Sequence, residues 1–292
     1  MSIEIKNLTY TYMKKTPFEK TALSNINLKI DEGEFVAIAG HTGSGKSTLI
    51  QIMSGLIKSP EGEVLIDDVS LDSKNKSKIR QARLKVGIVF QYPETQLFEE
   101  NVEKDIAFGP RNLNLDENEI FNRVKESMKL VDLPESIKEN SPFNLSGGQK
   151  RRVAIAGVLA MRPKYLILDE PTAGLDPRAR EQMMNNIKKL HDKENVTIIL
   201  VSHSMDDIAR FAKRILIMNQ GQLLADGTPR EIFSQNDILK TAGLAPPSAT
   251  QFLLTLKSKG IDVETNSITI DEAERELKKF LTSHSINQSL HH

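Results

Sequence analysis

The chain has 292 residues, of which 39% are hydrophobic, so it is long enough to bury a full-sized core. Lysine and arginine together number 39, as do aspartate and glutamate, so no net charge draws the protein to an anionic membrane or to nucleic acid, and we expect no nucleic-acid partner. The absence of cysteine excludes disulfides, thiolate metal sites and a cysteine nucleophile.

Three segments in the first quarter of the chain alternate apolar and polar residues, as half-buried strands do. They cover residues 3–8, 26–30 and 63–67, and turns at residues 31–33 and 59–62 separate them. This pattern predicts a small antiparallel sheet. The first segment has no basic region followed by an apolar stretch, so it is not a signal peptide.

Apolar runs elsewhere in the chain are short and nearly continuous, which is typical of strands buried on both faces of a parallel sheet. They lie at residues 35–39, 86–90, 166–168, 197–201 and 215–218. Helical patterns lie between them, so we predict an α/β core. From about residue 99 to 161 the sequence is polar and helix-forming, which predicts a helical insertion. No run approaches the roughly 18 to 20 apolar residues that cross a bilayer, so we expect any membrane contact to be peripheral.

The C-terminal part of the chain predicts a second, smaller unit. A turn at residues 227–229 precedes a predicted helix over 230–239, and a stretch rich in glycine and proline follows at 243–247. We therefore divide the chain into a large domain, residues 1–242, and a small α/β extension, residues 243–285, which is a candidate dimerisation unit.

Within this extension the pattern predicts two helices with a strand between them. The helices cover residues 248–259 and 271–281, and Asp271 is the expected N-cap of the second. The strand covers residues 263–270. Residues 286–292 are polar and close on two histidines, so we expect a disordered tail there.

Residues 40–47 fit the phosphate-loop pattern G-x-x-x-x-G-K-[ST], directly after a predicted strand and at the start of a predicted helix over 47–54. Glycines let successive N–H groups point at phosphate oxygens, and the helix adds its positive N-terminal end. Lys46 would neutralise the β- and γ-phosphates of a nucleoside triphosphate, and the Ser47 hydroxyl would bind Mg²⁺. The candidate ATP contacts here are Gly40, His41, Thr42, Gly43, Ser44, Gly45, Lys46, Ser47 and Thr48.

Two acids end the apolar run at residues 165–168. Alone, they also fit a strand followed by a solvated turn. Beside a phosphate loop, Asp169 is placed to hold Mg²⁺ through water, and Glu170 to polarise the water that attacks the γ-phosphate. His203 follows another buried strand, where it could hydrogen-bond the γ-phosphate and hold that water; a single histidine after a strand can also be purely structural.

Residues 145–149, Leu-Ser-Gly-Gly-Gln, resemble the signature motif of the ATP-binding cassette family. The family's other motifs stand in the same order: the phosphate loop, Gln91, the signature, Asp169-Glu170, residues 173–176 and His203. The resemblance covers residues 3 to about 230. It implies a P-loop NTPase (RecA-like) core with an antiparallel β subdomain, a helical subdomain and a C-terminal extension.

The same resemblance implies how two subunits share their nucleotides. Ser146, Gly147, Gly148 and Gln149 would cap the ATP held by a partner cassette, because backbone amides at a helix start bind anions. Two cassettes would then enclose two ATPs in a sandwich, and Asp176 would let the two halves sense each other.

By the resemblance, Gln91 would be both a catalytic residue and a Mg²⁺ ligand. Tyr12 would stack on adenine, with Tyr10 as the alternative, although an aromatic side chain on a strand is more often a packing residue.

The segment after Gln91, residues 92–100, is similar to that of the ATPases of energy-coupling factor transporters, which import vitamins and transition-metal ions. Further likenesses at residues 16–20, 107–110, 141–144 and 154–160 point to the second of the two ATPases. The resemblance implies a heterodimer with a second ATPase, docked on a transmembrane T subunit that holds a substrate-binding S subunit, at the cytoplasmic face of the cell membrane. Glu94, Glu99 and Glu100 would form an acidic wall for arginines of the T subunit. They could also be a solvated loop.

Three alternatives stay open at this point. The chain could serve a conventional importer or exporter, with its C-terminal unit in regulation. It could be a soluble cassette protein of DNA repair or of the ribosome, but such chains usually carry long coiled-coil insertions or two cassettes. A scaffold that binds ATP without hydrolysing it conflicts with the presence of Glu170 and His203.

Overall fold

A computed structural model describes residues 1–58 and 61–289, in which strands and helices alternate along most of the chain. The strands are β1 (Ser2–Tyr12), β2 (Lys20–Asp31), β3 (Phe35–Ala39), β4 (Glu61–Ile66), β5 (Val69–Ser70), β6 (Val86–Val89), β7 (Tyr165–Asp169), β8 (Thr197–Val201), β9 (Arg214–Asn219) and β10 (Gln222–Gly227). The helices are α1 (Lys46–Met53), α2 (Lys76–Leu84), α3 (Val102–Asn112), α4 (Glu117–Leu130), α5 (Gly147–Leu159), α6 (Pro177–Glu194), α7 (Met205–Phe211), α8 (Pro229–Ser234), α9 (Asn236–Thr241), α10 (Ser248–Ser258) and α11 (Ile270–Ser289). Short 3₁₀ helices cover Pro93–Gln96, Glu135–Ile137 and Pro142–Asn144.

The central sheet has the strand order β10-β9-β3-β8-β7-β6. Its pairs are parallel except for β10, which runs antiparallel to β9. Every residue of β3 and β8 is buried, which is why these strands read as continuous apolar runs. The predicted parallel α/β core is confirmed.

A second sheet with the strand order β2-β1-β4-β5 is antiparallel throughout and covers one face of the central sheet. The protein has a hydrophobic core on each face of the central sheet. The side chains of β3 enter these two cores alternately, because successive side chains of a strand point to opposite faces. Val36 and Ile38 pack with the antiparallel sheet and α1, whereas Phe35, Ala37 and Ala39 pack with helices on the other face.

The segment between β6 and β7 holds α3, α4 and α5, where the sequence predicts a helical insertion. Local capping explains two of these helix starts. The Asn101 side chain accepts a hydrogen bond from the Lys104 amide, and Asp116 accepts from the amides of Asn118 and Glu119.

The C-terminal part differs from the prediction in several places. The helix expected over 230–239 is divided into α8 and α9 at Gln235, whose ψ of 75° is not helical. The predicted strand over 263–270 is absent from the described chain: Val263 and Ile268 bury among helices instead, and no strand edge pairs with them. The extension is therefore helical in the described residues rather than α/β.

The last helix also begins and ends elsewhere than predicted. It starts at Ile270, and the Thr269 hydroxyl rather than Asp271 accepts the hydrogen bond from the Glu272 amide, at 3.4 Å. It runs to Ser289, whereas the sequence predicts a disordered tail from residue 286. The rest of that predicted tail, residues 290–292, and part of the predicted turn at 59–62 lie outside the described residues.

None of the helices in residues 1–58 and 61–289 is both long enough and apolar enough to cross a bilayer.

Candidate functional site

The phosphate loop joins the carboxyl end of β3 to α1, and two of its glycines are required by close contacts. Gly40 has φ 155°, and a Cβ there would lie 2.3 Å from the Met218 carbonyl oxygen. Gly45 has φ 106°, and a Cβ there would lie 2.7 Å from the Ala22 carbonyl oxygen. Because Gly45 is the N-cap of α1, no side chain caps this helix, and its first N–H groups remain available to an anion.

Lys46 is 7% exposed, and its ammonium is held inside the loop. Its Nζ donates hydrogen bonds to the carbonyl oxygens of Gly40, at 2.7 Å, and His41, at 3.0 Å. Burial lowers the pKa of Lys46, and the nearby carboxylates of Glu170 and Asp169 oppose that shift. The loop thus places one cation close to two acids.

Other loop residues fasten the loop to the sheet. The two ring nitrogens of His41 lie 2.8 Å from the Thr42 carbonyl oxygen and 3.0 Å from Asn219 Oδ1, so the loop is tied to the end of β9. Ser44 is fully buried, and its Oγ has no hydrogen-bond partner. A buried unpaired hydroxyl at this position can serve a bound ligand.

A cavity of 440 Å³ opens above the phosphate loop, at the edge where the parallel strands end. Most of the residues that the sequence predicts as an ATP site line this cavity. The lining residues are Tyr12, Lys20, Ala22, Thr42, Gly43, Gly45, Lys46, Ser47, Thr48, Gln91, Asp169, Glu170, Val201 and His203. Gly40, His41 and Ser44 belong to the loop but not to this lining.

Glu170 is a buried carboxyl in the lining of this cavity. It has φ 49°, and its amide donates a 3.0 Å hydrogen bond to the Val201 carbonyl oxygen. Its Oε1 is buried without a hydrogen-bond partner and lies 3.6 Å from Nε2 of His203. Burial, followed by the charge of Asp169, raises the pKa of Glu170 to about 7, which suits a group that takes up a proton near neutral pH.

Burial also shifts the pKa values of two neighbours of Glu170, Asp169 and His203. Burial raises the pKa of Asp169, against the opposing charge of Lys46. Burial and then the charge of Lys46 lower the pKa of His203, so its imidazole is neutral at physiological pH. A neutral imidazole can both donate and accept a hydrogen bond.

Tyr12 lines the cavity and is exposed to solvent. Its hydroxyl lies 3.1 Å from the Thr48 Oγ1, and the residue is 37% exposed. Tyr10 packs edge-on against it, with ring centroids 4.8 Å apart, but does not line the cavity. The geometry therefore favours Tyr12 as the base-stacking residue.

The signature residues lie outside the cavity of their own chain. Ser146 is the N-cap of α5: its Oγ accepts from the Gln149 amide, at 3.3 Å, and Gln149 Oε1 accepts from the Ser146 amide, at 3.0 Å. A Cβ at Gly147 would meet nothing within 4 Å, and a Cβ at Gly148 would meet only the Arg152 guanidinium at 4.0 Å. The helix start is thus open to another molecule.

Asp176 is the N-cap of α6, where its Oδ1 accepts hydrogen bonds of 3.0 Å from the amides of Arg178 and Ala179. It also lies outside the cavity lining.

A family model described as ABC transporter matches residues 23–173. The chain belongs to the ABC transporter family. A relative from Clostridium tetani, named energy-coupling factor transporter ATP-binding protein EcfA2, is 54% identical over 288 residues, which is 98% of this chain and 100% of the relative.

Solved structures of ABC ATPases share the fold. The structure of cbiO1 from Clostridium perfringens, described as part of the ABC transporter complex cbiONQ, has a TM-score of 0.72 and 39% identity, and the match covers 82% of this chain and 92% of cbiO1. A dimeric ATP-binding cassette in a post-hydrolysis state, bound to ADP and Pi, has a TM-score of 0.69 and 35% identity over 78% of this chain and 98% of that cassette. Family membership makes this chain an ATP-binding, ATP-hydrolysing protein.

The three glutamates expected to form an acidic wall on this ABC ATPase have different environments. Glu94 is not free in solvent: its two carboxylate oxygens accept hydrogen bonds of 3.1 and 3.0 Å from Arg151. Glu100 is exposed and pairs with Lys104 one turn away. The Glu99 side chain is partly exposed, and its amide is bonded to Asp105 Oδ2. Glu94 is thus paired within the chain, and its part in the acidic wall stays a prediction.

Sequence reasoning missed three residues of the ABC ATPase cavity. Lys20 and Ala22 lie on β2, and Val201 ends β8. The signal that could have found Lys20 is the register of the first hairpin, because Lys20 pairs directly with Tyr12 across β1 and β2. Periodicity alone does not fix such a register.

Proposed function

We propose that this chain is the ATP-hydrolysing subunit of an energy-coupling factor transporter, in which hydrolysis drives the uptake of vitamins or other micronutrients across the cytoplasmic membrane. The observation that carries the proposal is its 54% identity to the EcfA2 protein of Clostridium tetani along 98% of the chain. A shared phosphate loop alone would not distinguish a transporter subunit from other NTPases.

ATP is the proposed substrate of the cavity, with its phosphates against the loop and its base towards Tyr12. The uncapped start of α1 and the ammonium of Lys46 suit the β- and γ-phosphates. Tyr12 is exposed, lines the cavity and pairs with Lys20 across β1 and β2, and its ring suits adenine.

Mg²⁺ fits the side chains that this cavity brings together. The Ser47 hydroxyl, the Gln91 amide oxygen and the Asp169 carboxylate all line it, and oxygen donors are the ligands that Mg²⁺ prefers. When bound, the ion would neutralise charge that develops on the phosphates. Asp169 would bind the ion through a water molecule, and Gln91, which follows β6, would bind it through its amide oxygen.

Glu170 would accept the hydrogen bond of the attacking water, and His203 would hold that water and the γ-phosphate in place. The 3.6 Å separation of their side chains and the unpaired Oε1 of Glu170 support this pairing. A carboxyl whose pKa is raised to about 7 can take up a proton near neutral pH.

A second cassette would complete each site. Ser146 and the amides of Gly147 and Gly148 would cap the ATP of the partner ATPase. Asp176 would let the two ATPases sense each other across the interface. The open space around the start of α5, together with its absence from this chain's own cavity, supports a role towards a partner.

The assembly would include a second ATPase as heterodimer partner, a transmembrane T subunit and a substrate-binding S subunit. The chain would lie at the cytoplasmic face of the membrane as a peripheral subunit. Glu99 and Glu100 would face arginines of the T subunit, whereas Glu94 would shape the docking segment from within through Arg151.

The test is to purify the chain from gently solubilised membranes with an affinity tag and to identify the co-purifying proteins by mass spectrometry. A second cassette and two membrane proteins, one of them small, are expected, together with MgATP hydrolysis that Glu170→Gln abolishes while ATP binding persists. Recovery of the chain without membrane proteins, or normal turnover by Glu170→Gln, would reject the proposal.

A further inference from the structure

Arg151 is a buried cation in the middle of the ATPase machinery that the motifs leave without a role. It lies on α5, five residues beyond Ser146, and its side chain is 3% exposed. A buried charge is costly unless every donor finds a partner, so its contacts show what holds it there.

The first partner of Arg151 is the segment that follows Gln91. Nε donates to one carboxylate oxygen of Glu94 at 3.1 Å, and a terminal nitrogen donates to the other at 3.0 Å, a bidentate pair. Burial alone would raise the pKa of Glu94, but the hydrogen bond from Arg151, a backbone hydrogen bond and the charge of Arg151 together outweigh it and lower that pKa. The ring of Tyr92 also lies 6.0 Å from the guanidinium carbon.

The second partner is the segment that follows Glu170. The remaining terminal nitrogen of Arg151 donates to the carbonyl oxygens of Pro171, at 3.1 Å, and Ala173, at 2.7 Å. The Ala173 amide in turn donates a 3.1 Å hydrogen bond to the carbonyl oxygen of Glu170. One planar group therefore connects α5 with the backbone that orients Glu170.

We propose that Arg151 is a positioning residue for ATP hydrolysis. It fixes the segments that carry Gln91 and Glu170 relative to the helix that begins at Ser146, so that the signature presented to the partner's ATP moves together with this chain's own site. The inference rests on the proposed ATPase cycle and deepens it. Arg151 does not line the ATP cavity, so its effect passes entirely through these hydrogen bonds.

The planar fork of arginine is what this role requires. Its nitrogens point in fixed directions and reach a carboxylate and two carbonyl oxygens at once, which a lysine ammonium at the end of a flexible chain does not reproduce. A buried ion pair often adds little stability compared with an apolar pair, so the contribution of this one lies in geometry.

The experiment uses the transporter complex purified through this chain, with Arg151→Met, Arg151→Lys, Glu94→Gln and the double variant Arg151→Met/Glu94→Gln. Arg162→Met is the matched control, because Arg162 also bonds two carboxylates, Glu119 and Glu126, but is half exposed and lies beyond the C-terminal end of α5, away from the signature. The measurements are kcat and KM for MgATP per folded molecule, and the Kd of a fluorescent ATP analogue.

We expect Arg151→Met and Arg151→Lys to lower kcat by at least about tenfold, because small displacements of catalytic groups are costly, while Kd stays within about twofold. Hydrolysis should slow at both ATP sites of the dimer. The site of this chain depends on Gln91 and Glu170, and the site of the partner ATPase depends on the signature residues of this chain. The double variant should be no slower than Arg151→Met, because residues that act as a unit are not additive. Arg162→Met should keep the wild-type kcat.

A kcat within about twofold of wild type for Arg151→Lys and Glu94→Gln, or additive losses in the double variant, would overturn the inference. If Arg151→Met does not fold, Glu94→Gln decides, since it leaves the bonds to Pro171 and Ala173 in place. Failure of the proposed function would appear differently, as a wild-type complex without MgATP hydrolysis.

Discussion

The buried carboxyl of Glu170 predicts that Glu170→Gln makes the nucleotide-free chain more stable above neutral pH. Its pKa is about 7 in the folded chain, against an ordinary value of 4.5. Between these values the folded chain binds the proton more tightly than the unfolded chain does, so the wild-type free energy of unfolding falls as pH rises from about 4.5 to 7. Glutamine has no such proton to lose, so the variant should gain on the wild type across this window.

The size of this gain in stability follows from the difference between the two pKa values. The difference would correspond to about 3 kcal/mol if the carboxyl were fully shielded from water. The side chain is 16% exposed, however, so water screens part of the charge. We expect roughly half of that, about 1.5 kcal/mol, or a rise of roughly 4 °C in Tm at pH 8.

The assay is urea and thermal unfolding of both proteins at pH 5, 6, 7 and 8, followed by circular dichroism. Glu117→Gln is the control, because that side chain is 80% exposed at the start of α4, and it should show no growing difference from the wild type. A stability difference between Glu170→Gln and the wild type that is equal at pH 5 and pH 8 would refute the proposed burial of charge at this position.

Three further outcomes are expected. Tyr12→Ala should weaken ATP binding by about tenfold, through loss of ring stacking, while Tyr12→Phe retains it, and calorimetry would disprove the stacking role if both bind equally. Reversing Glu99 and Glu100 to lysine should release the chain from membranes with ATP binding intact, and unchanged membrane association in flotation assays counts against docking there. Tyr165→Phe should lower the free energy of unfolding by about 1 to 2 kcal/mol, because Asp67 is buried and accepts its hydroxyl at 2.7 Å; an unchanged urea midpoint argues otherwise.

The parts of the fold that the sequence predicts well are those with a strong local pattern. β3 and β8 are buried on both faces and therefore read as unbroken apolar runs. The phosphate loop is recognisable because its glycines and Lys46 stand between such a strand and a helix. Asp169 and His203 meet at one edge because Asp169 ends β7 and His203 follows the neighbouring parallel strand β8.

The parts that the sequence predicts poorly depend on distant partners. Alternation over residues 263–270 suggests a strand, but Val263 and Ile268 are buried by helices and the segment has no neighbouring strand edge. The role of Glu94 depends on Arg151, which is 57 residues away. Nothing in the local pattern of either residue indicates that pair.

The most direct test of the shared-nucleotide mechanism is a cryo-EM structure of the complex carrying Glu170→Gln with MgATP. The mechanism predicts ATP between Lys46 of this chain and the signature helix of the other ATPase, and Ser146 over the ATP of that partner. ATP bound at Lys46 with no opposing signature helix near its γ-phosphate would contradict it.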